Sequence, residues 1–311
     1  MRIEREPFGS RLSDASVVTI GKFDGVHLGH RAVLGQTVSR ARELGLEAVA
    51  VTFDRNPLAQ LHPEASPPAV VSLARRLELI EQTGIDLVAV LDFDAVRAAQ
   101  SPRDFVDELL VGQLGARVLL VGVDFRFGAK GQGDVWELRR MGEERGFSVE
   151  LLPAVGGAGV DRISTSGIRR LIADGQVSAA AARLGSLPAV TGEVVHGNER
   201  GRELGFPTAN LAEDSVGAMP ADGVYAGWLS VGDGERLPAA ISVSDNPTFS
   251  TGDRRRVEAY VLDRTDLDLY GRCVTVEFVD RVRGIERFDS VEALVARMRV
   301  DVAETRAILG A

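Results

Sequence analysis

The chain has 311 residues, 45 % of them apolar and 26 % charged, with a formal net charge of −9. That length exceeds what one hydrophobic core needs and points to two domains, while the acidic balance disfavours non-specific attraction to nucleic acid. No run of about 18 apolar residues is present to suggest a membrane span, the start "MRIEREPFGS" is too polar for a secretory leader, and the single Cys273 allows no internal disulfide and fits a reducing cytoplasm.

Apolar runs open the chain at "VVTI" (17–20), "EAVAVTF" (47–53), "DLVAVLDF" (86–93), "ARVLLVG" (116–122) and "FSVELLP" (147–153), with amphipathic stretches such as "HRAVLGQTVSRARELG" and "PRDFVDELLVGQLG" between them. Nearly continuous apolar strands alternating with helices predict a parallel sheet covered on both faces. Ligands of such sheets sit at the carboxyl ends of the strands. Two unusual segments, "GKFDGVHLGH" and "GVDFRFG", each follow a strand directly.

The first of them holds two of the four histidines in the chain. Gly21 and Gly25 allow a tight turn and close approach of a ligand. A helix starting near Leu28 would aim its NH groups at the same edge, where an anion is favoured. His27 and His30, three apart, share one face of its first turn and suit the phosphates of a nucleotide. The plainer reading makes them surface or capping residues, and a metal reading lacks a third ligand at a helpful spacing. Asp24 lies between the two glycines. Further along, "TFDRNP" (52–57) ends in a turn-forming Asn-Pro, and "VGVDFRFGAKGQGD" (121–134) combines Asp124, Phe125 and Arg126 with a glycine-rich loop. "ISTSGIRR" (163–170) places Ser164, Thr165 and Ser166 before a helix, as caps or as a phosphate grip with Arg169.

An Ala-rich helix, "VSAAAARLG", leads into a different rhythm after residue 190. Short β-rich segments, "TGEVVHG", "GVYAGWLSV", "LPAAISV", "RRVEAYVLD" and "CVTVEFVDRVR", predict a small antiparallel barrel or sandwich. The terminal "SVEALVARMRVDVAETRAILG" predicts an amphipathic helix packed on it. In "TGEVVHGNERGRELGFPTANL", Gly197, Gly201 and Gly205 permit a loop folded closely over phosphates. Thr208 and Asn210 would face one side of an extended chain and offer hard oxygen donors to a cation; "PTAN" also reads as a turn with an Asx-type bond. On the "RRVEAYVLD" strand Val257, Ala259 and Val261 alternate with Glu258 and Tyr260. Glu258 is either a solvated strand residue or a base for a substrate hydroxyl.

Taken in order, "GKFDGVHLGH", "VGVDFRFG", "STSGIR", "GRELGFPTANL", "GVYAGW", "NPTF" and "VEAYVLD" make the chain closely similar to the prokaryotic bifunctional riboflavin kinase/FMN adenylyltransferase (FAD synthetase) family over nearly its whole length. The resemblance implies an α/β protein: a Rossmann-like nucleotidylyltransferase domain over 1–185, then a riboflavin kinase β-barrel with a C-terminal helix over 186–311. The barrel would transfer the γ-phosphoryl of ATP to riboflavin, and the first domain would join AMP from a second ATP to FMN. The same resemblance implies that His27 and His30 stabilise ATP phosphates, and that Gly21, Asp24, Gly25, Ser164, Thr165 and Arg169 bind nucleotide or phosphate. It assigns Gly197, Gly201 and Gly205 to ATP in the barrel, Asp124, Phe125 and Asn246 to flavin, Thr208 and Asn210 to Mg²⁺, and Glu258 to the base. Substrates are then riboflavin, FMN and ATP, with no nucleic acid or membrane partner, and an oligomer is left open.

The sequence departs from the family pattern at Asn56, where histidine is commoner, at Gly167 in a reordered "STSGIRR", and at Ser244 and Asp245 before "NPTF". Other readings are a single-activity kinase with an impaired adenylyltransferase half, a flavin-binding regulator without turnover, or a nucleotidylyltransferase for another alcohol phosphate. The last leaves the glycine-rich barrel unexplained.

Overall fold

The computed structural model describes residues 1–152, 163–197, 204–232, 234–245 and 255–311. Gly201, Asn246 and the "NPTF" segment lie outside them. The chain divides into two compact units, one of Met1–Pro67 with Leu73–Ser164, the other of Pro68–Ser72 with Thr165–Ala311.

In chain order the first unit contains β1 (Arg2–Arg5), β2 (Ser16–Ile20), α1 (Leu28–Leu44), β3 (Glu47–Phe53), α2 (Pro57–Leu61), α3 (Leu73–Glu81), β4 (Leu87–Leu91), α4 (Ala95–Ala99), α5 (Pro102–Asp104), β5 (Ala116–Gly122), α6 (Val135–Arg145) and β6 (Ser148–Leu152). The sheet order is β1-β4-β3-β2-β5-β6 and every pairing is parallel. The chain moves outward from β2 through β3 to β4, then returns to place β5 on the other side of β2. The direction therefore reverses between β2 and β5, which makes their carboxyl ends the place where such sheets hold a ligand.

Two features depart from the sequence reading. The polar "RIER" is strand β1: it sits at the sheet edge, where half of a strand's surface can stay wet. The stretch after Ser101 is not one regular helix. Beyond α5 it winds as a π-type segment, Phe105–Gln113, burying Phe105, Val106, Leu109 and Leu110. Gly112 allows the wide turn, since a Cβ there would stand 3.0 Å from the Asp107 carbonyl oxygen.

The second unit contains α7 (Thr165–Ala173), α8 (Val177–Leu184), β7 (Ala189–Val195), β8 (Thr208–Leu211), β9 (Gly223–Val231), β10 (Leu237–Asp245), β11 (Arg255–Val261), β12 (Cys273–Arg283) and α9 (Val291–Leu309). Its strands close into an antiparallel barrel, order β10-β11-β8-β7-β12-β9. The "PTAN" segment is not a turn: Thr208–Leu211 is β8, held between β7 and β11. The sequence reading assigns α7 and α8 to the first domain, whereas by contacts they group with the barrel, where Val177 joins the apolar core.

The terminal helix packs on β9, β10 and β12, but the side chains it buries are Asp301 and Thr305 rather than an apolar stripe. Asp301 receives two hydrogen bonds from Arg283 on β12, Nε to Oδ1 at 2.8 Å and Nη2 to Oδ2 at 2.7 Å. Both side chains are nearly inaccessible, at 10 % and 6 % exposure. Removing Asp301 takes the carboxylate from Arg283 in a dry site, and from Arg297, whose Nε stands 3.2 Å from Oδ1. Asp301→Ala is therefore expected to lower unfolding free energy by about 3–5 kcal/mol in urea titrations, whereas Asp266→Ala, in an exposed pair with Arg264, should leave the midpoint unmoved. Equal effects of the two substitutions would refute the anchoring role.

Candidate active sites

The loop after β2 is built tightly. Phe23 and Val26 take positive φ angles of 46° and 41°, beside Gly25 at 80°. Such a conformation is costly for a bulky or β-branched residue, and a structure holds it only where the surroundings over-determine it. Here Phe23 and Val26 are buried at 2 % and 0 % exposure, and the Val26 NH donates to the Phe23 carbonyl at 3.0 Å. A Cβ at Gly21 would meet the Phe23 ring at 2.9 Å. The loop thus delivers His27 to the N-cap of α1.

His27 Nδ1 accepts from the His30 backbone NH at 3.2 Å, so the neutral His27 ring carries its proton on Nε2. The two imidazoles stack with centroids 3.6 Å apart and planes 15° from parallel, and the Phe23 ring meets His30 edge-on. Burial pushes His27 down to about 4, opposed by its own backbone hydrogen bond and by Asp24. Burial, then the charges of His27 and Arg76, push His30 down to about 3. Both rings are uncharged near neutral pH. Among the described residues, His30 Nδ1 has no hydrogen-bond partner although it is buried. Beneath the loop, from α3, the Arg76 side chain is 6 % exposed and bonds the Lys22 carbonyl at 2.9 Å.

Beside this loop a cavity of about 1060 Å³ opens along the same sheet edge, lined by Gly21, Lys22, Phe53, Phe93, Asp124 and Phe125 among others. Aromatic side chains form much of its wall: Phe53 meets Phe93 edge-on, and Phe125 stacks on Phe127. Phe105, from the π-type segment, adds to it. Such a volume and lining suit a large planar ligand. Asn56 is engaged locally: it caps α2 by accepting from the Leu58 NH at 3.2 Å.

In the barrel, β8 and β11 pair so that Asn210 stands opposite Glu258 and Thr208 opposite Tyr260. Ala209, Leu211, Val257, Ala259 and Val261 belong to the barrel core, which by strand alternation turns Thr208, Asn210, Glu258 and Tyr260 to the outer face. Asn210 Nδ2 lies 3.3 Å from Thr208 Oγ1 and 3.2 Å from the Thr208 carbonyl oxygen. Gly197 covers the amide so closely that a Cβ would fall 2.4 Å from Asn210 Oδ1. Glu258 is raised above the usual carboxylate range by burial, opposed by Arg256. A smaller cavity of about 270 Å³ adjoins Gly205, Thr208 and Tyr270, and Tyr270 stacks on His196.

The structure thus gathers Gly21, Asp24, Gly25, His27 and His30 in one loop, puts Asp124 and Phe125 in the wall of a cavity shared with Gly21, and sets Thr208, Asn210 and Glu258 on one barrel face under Gly197. Gly205, at φ 85°, precedes β8. Ser164 ends the first unit; Thr165 begins α7, and Arg169 Nε donates to the Pro68 carbonyl at 2.9 Å within the second unit. The sequence reading named Phe125 but missed Arg76 and the cavity residues Phe53, Phe93 and Phe105. Position 76 does fall on the apolar stripe of α3, one turn before Ile80, which is the only signal that marks it.

Among the described residues, no helix is long and apolar enough to cross a membrane and no group of three or more His, Cys, Asp or Glu could hold a metal. Two family models match in succession, FAD synthetase over residues 10–167 and riboflavin kinase over 184–309. A bifunctional riboflavin kinase/FMN adenylyltransferase of Escherichia coli K12 is 36 % identical over 298 residues, 96 % of this chain and 94 % of the relative. Proteins of the same description from Pseudomonas fluorescens and Bacillus subtilis are 37 % and 31 % identical, covering 94 % and 93 % of this chain and 92 % and 91 % of theirs. A crystal structure described as a macrolide-efflux protein from Streptococcus pneumoniae superposes with a TM-score of 0.84 at 31 % identity, over 98 % of this chain and 99 % of that one. That description differs from those of the relatives, and the two family models over 10–167 and 184–309, with relatives that span more than nine-tenths of the chain, decide the family.

Proposed function

The chain belongs to the bifunctional riboflavin kinase/FMN adenylyltransferase family, and we propose that its activities are divided between the barrel face of Asn210 and Glu258 and the histidine loop of the parallel sheet. It is a riboflavin kinase and an FAD synthetase, making FMN and FAD. We place the enzyme in the cytoplasm, where the exposed thiol of Cys273 stays reduced.

In adenylyl transfer a phosphate oxygen of FMN attacks the α-phosphorus of ATP. A new P–O–P link forms, and the bond to the bridging oxygen breaks with its electron pair leaving on pyrophosphate. The protein's task is position and charge neutralisation. His27 donates from Nε2 to a phosphate oxygen, since its Nδ1 is occupied by the His30 NH. His30, whose buried Nδ1 has no partner among the described residues, is assigned to the same group. Gly21 and Gly25 let the loop approach, Asp24 tunes it electrostatically, and the N-terminus of α1 favours the anion. The phenylalanine-walled cavity receives the flavin ring, with Asp124 and Phe125 in its wall. Ser164, Thr165 and Arg169 are assigned to gripping phosphate.

In the kinase step the ribityl hydroxyl attacks the γ-phosphorus and ADP leaves. Glu258, whose proton affinity is raised by burial, accepts the hydroxyl proton. Thr208 Oγ1 and Asn210 Oδ1 would hold Mg²⁺: they are hard oxygen donors on one face, and only glycine at position 197 fits against the Asn210 amide. When bound, the ion supplies screening of the phosphate charge. Gly197, Gly201 and Gly205 are assigned to ATP, and Asn246 to flavin.

The observation that carries the adenylyl half is the stacked, uncharged His27–His30 pair at the point where the sheet reverses direction. Incubation with riboflavin and Mg-ATP is expected to yield FMN first and FAD second by chromatography, with both halted by chelation of the metal. FMN without FAD would remove the histidine loop from the assignment, and FAD formed only from supplied FMN would remove the barrel face.

A further inference from the structure

The buried guanidinium of Arg76 has no role in either step above. It comes from α3 and reaches under the histidine loop. Nη1 donates to the Lys22 carbonyl at 2.9 Å, the Phe53 carbonyl at 2.9 Å and Thr52 Oγ1 at 3.2 Å, while Nη2 stands 3.5 Å from the Asp54 carbonyl. Thr52, itself fully buried, donates in turn to the Lys22 carbonyl at 3.1 Å. One side chain thus ties the loop after β2 to the end of β3.

All of these acceptors are uncharged. Among the described residues no carboxylate hydrogen-bonds Arg76, and its Nε is buried without a partner. A buried charge bonded only to carbonyls and a hydroxyl is costly. Carbonyl anchoring alone could be met by a neutral donor, so the charge itself calls for a use. Burial disfavours its ionisation, Asp24 and Asp54 favour it, and its charge adds to the effects of burial and of His27 that oppose protonation of His30.

We propose that Arg76 is a positioning residue for adenylyl transfer, its fork holding the Gly21–His30 loop in its strained form and setting its charge beside the His30 ring. The inference rests on the assignment of ATP to the histidine loop. A displacement of about 1 Å in such a loop is enough to cost on the order of 100-fold in rate. The strain at Phe23 and Val26 makes a displacement the expected result of losing the fork.

The test measures kcat and KM for FAD formation from FMN and FMN formation from riboflavin in Arg76→Met, Arg76→Lys and His30→Ala, and the titration of the His30 ring by NMR in the parent and the two Arg76 variants. In Arg76→Met, kcat for FAD is expected to fall about 100-fold with KM for FMN little changed, FMN formation to persist, and His30 to titrate at higher pH than in the parent. In Arg76→Lys the charge remains but not the fork, so His30 should titrate as in the parent while kcat still falls. Parental kcat in Arg76→Met overturns the proposal, and so does a fallen kcat with unmoved His30 titration, which is what a purely structural role would give. Should Arg76→Met fail to fold, seen as equal loss of FMN formation, Arg76→Lys decides: parental kcat overturns the proposal, and reduced kcat with parental titration supports it. FAD formation surviving in His30→Ala would instead defeat the underlying site.

Discussion

Replacing His30 by alanine is expected to abolish FAD formation while FMN formation from riboflavin continues. The imidazole is one of two stacked at 3.6 Å, and its buried Nδ1 has no partner among the described residues. On the proposed assignment the ring is a donor to developing charge, and losing such a donor costs on the order of 10²–10³ in kcat. The substitution leaves the backbone NH that His27 Nδ1 accepts, so the start of α1 survives. The pH dependence gives a second reading of the same site. Both folded-state values lie below the ordinary histidine range, at about 4 for His27 and about 3 for His30. The profile of kcat/KM reports the free enzyme, so the two rings contribute no ionisation near the ordinary histidine value of about 6.5. Their protonation enters only as pH falls toward those lower values. A histidine limb near about 6.5 that disappears in His30→Ala would contradict the burial argument, and equal loss of both products would contradict the separation of sites.

Asn210→Ala is expected to do the reverse, silencing FMN formation while FAD still forms from supplied FMN. The carboxamide sits opposite Glu258 on the β8–β11 face, beneath Gly197. On the proposed assignment Asn210 Oδ1 would hold the phosphate-bound ion, and removing such an oxygen is expected to cost about 100-fold, roughly 2.7 kcal/mol of transition-state stabilisation. The fold should survive, because what Asn210 contributes locally is its contacts to Thr208, worth about 1 kcal/mol each at most as neutral hydrogen bonds. The parent's own profile for FMN formation is informative too. Glu258 must be ionised to accept a proton, and its pKa is raised by burial. Activity should therefore fall on acidification at a higher pH than an ordinary glutamate would give, and Glu258→Gln should remove that limb. FMN formation at the parental rate in Asn210→Ala would dismiss the ion-holding role.

Much of this was legible in residue order. "GKFDGVHLGH" after an apolar run marked the end of β2, and the alternation of Val257, Ala259 and Val261 with Glu258 and Tyr260 marked the two faces of β11. Period and punctuation report what each segment buries, so the parallel sheet and the antiparallel strands followed. Other elements obeyed no local rule. The edge strand "RIER" has no apolar pattern to show, because a sheet margin does not require one. The π-type segment depends on how closely the Asp107 carbonyl approaches Gly112. The terminal helix looks amphipathic, yet is anchored through Asp301 by an arginine 18 residues earlier in the chain.

By itself, then, the sequence determined the two kinds of sheet, the loop that carries the imidazoles and the residue types available to phosphate and cation, since all of these depend on neighbours along the chain. Only the tertiary structure decided that β2 and β5 enclose the reversal of the sheet, that Asn210 meets Glu258 across a strand pair, and that Arg76 is inside rather than on the surface. A charge can be buried where acceptors from separate elements converge on it, and the convergence of Lys22, Thr52 and Phe53 on one guanidinium is a property of packing, not of spacing.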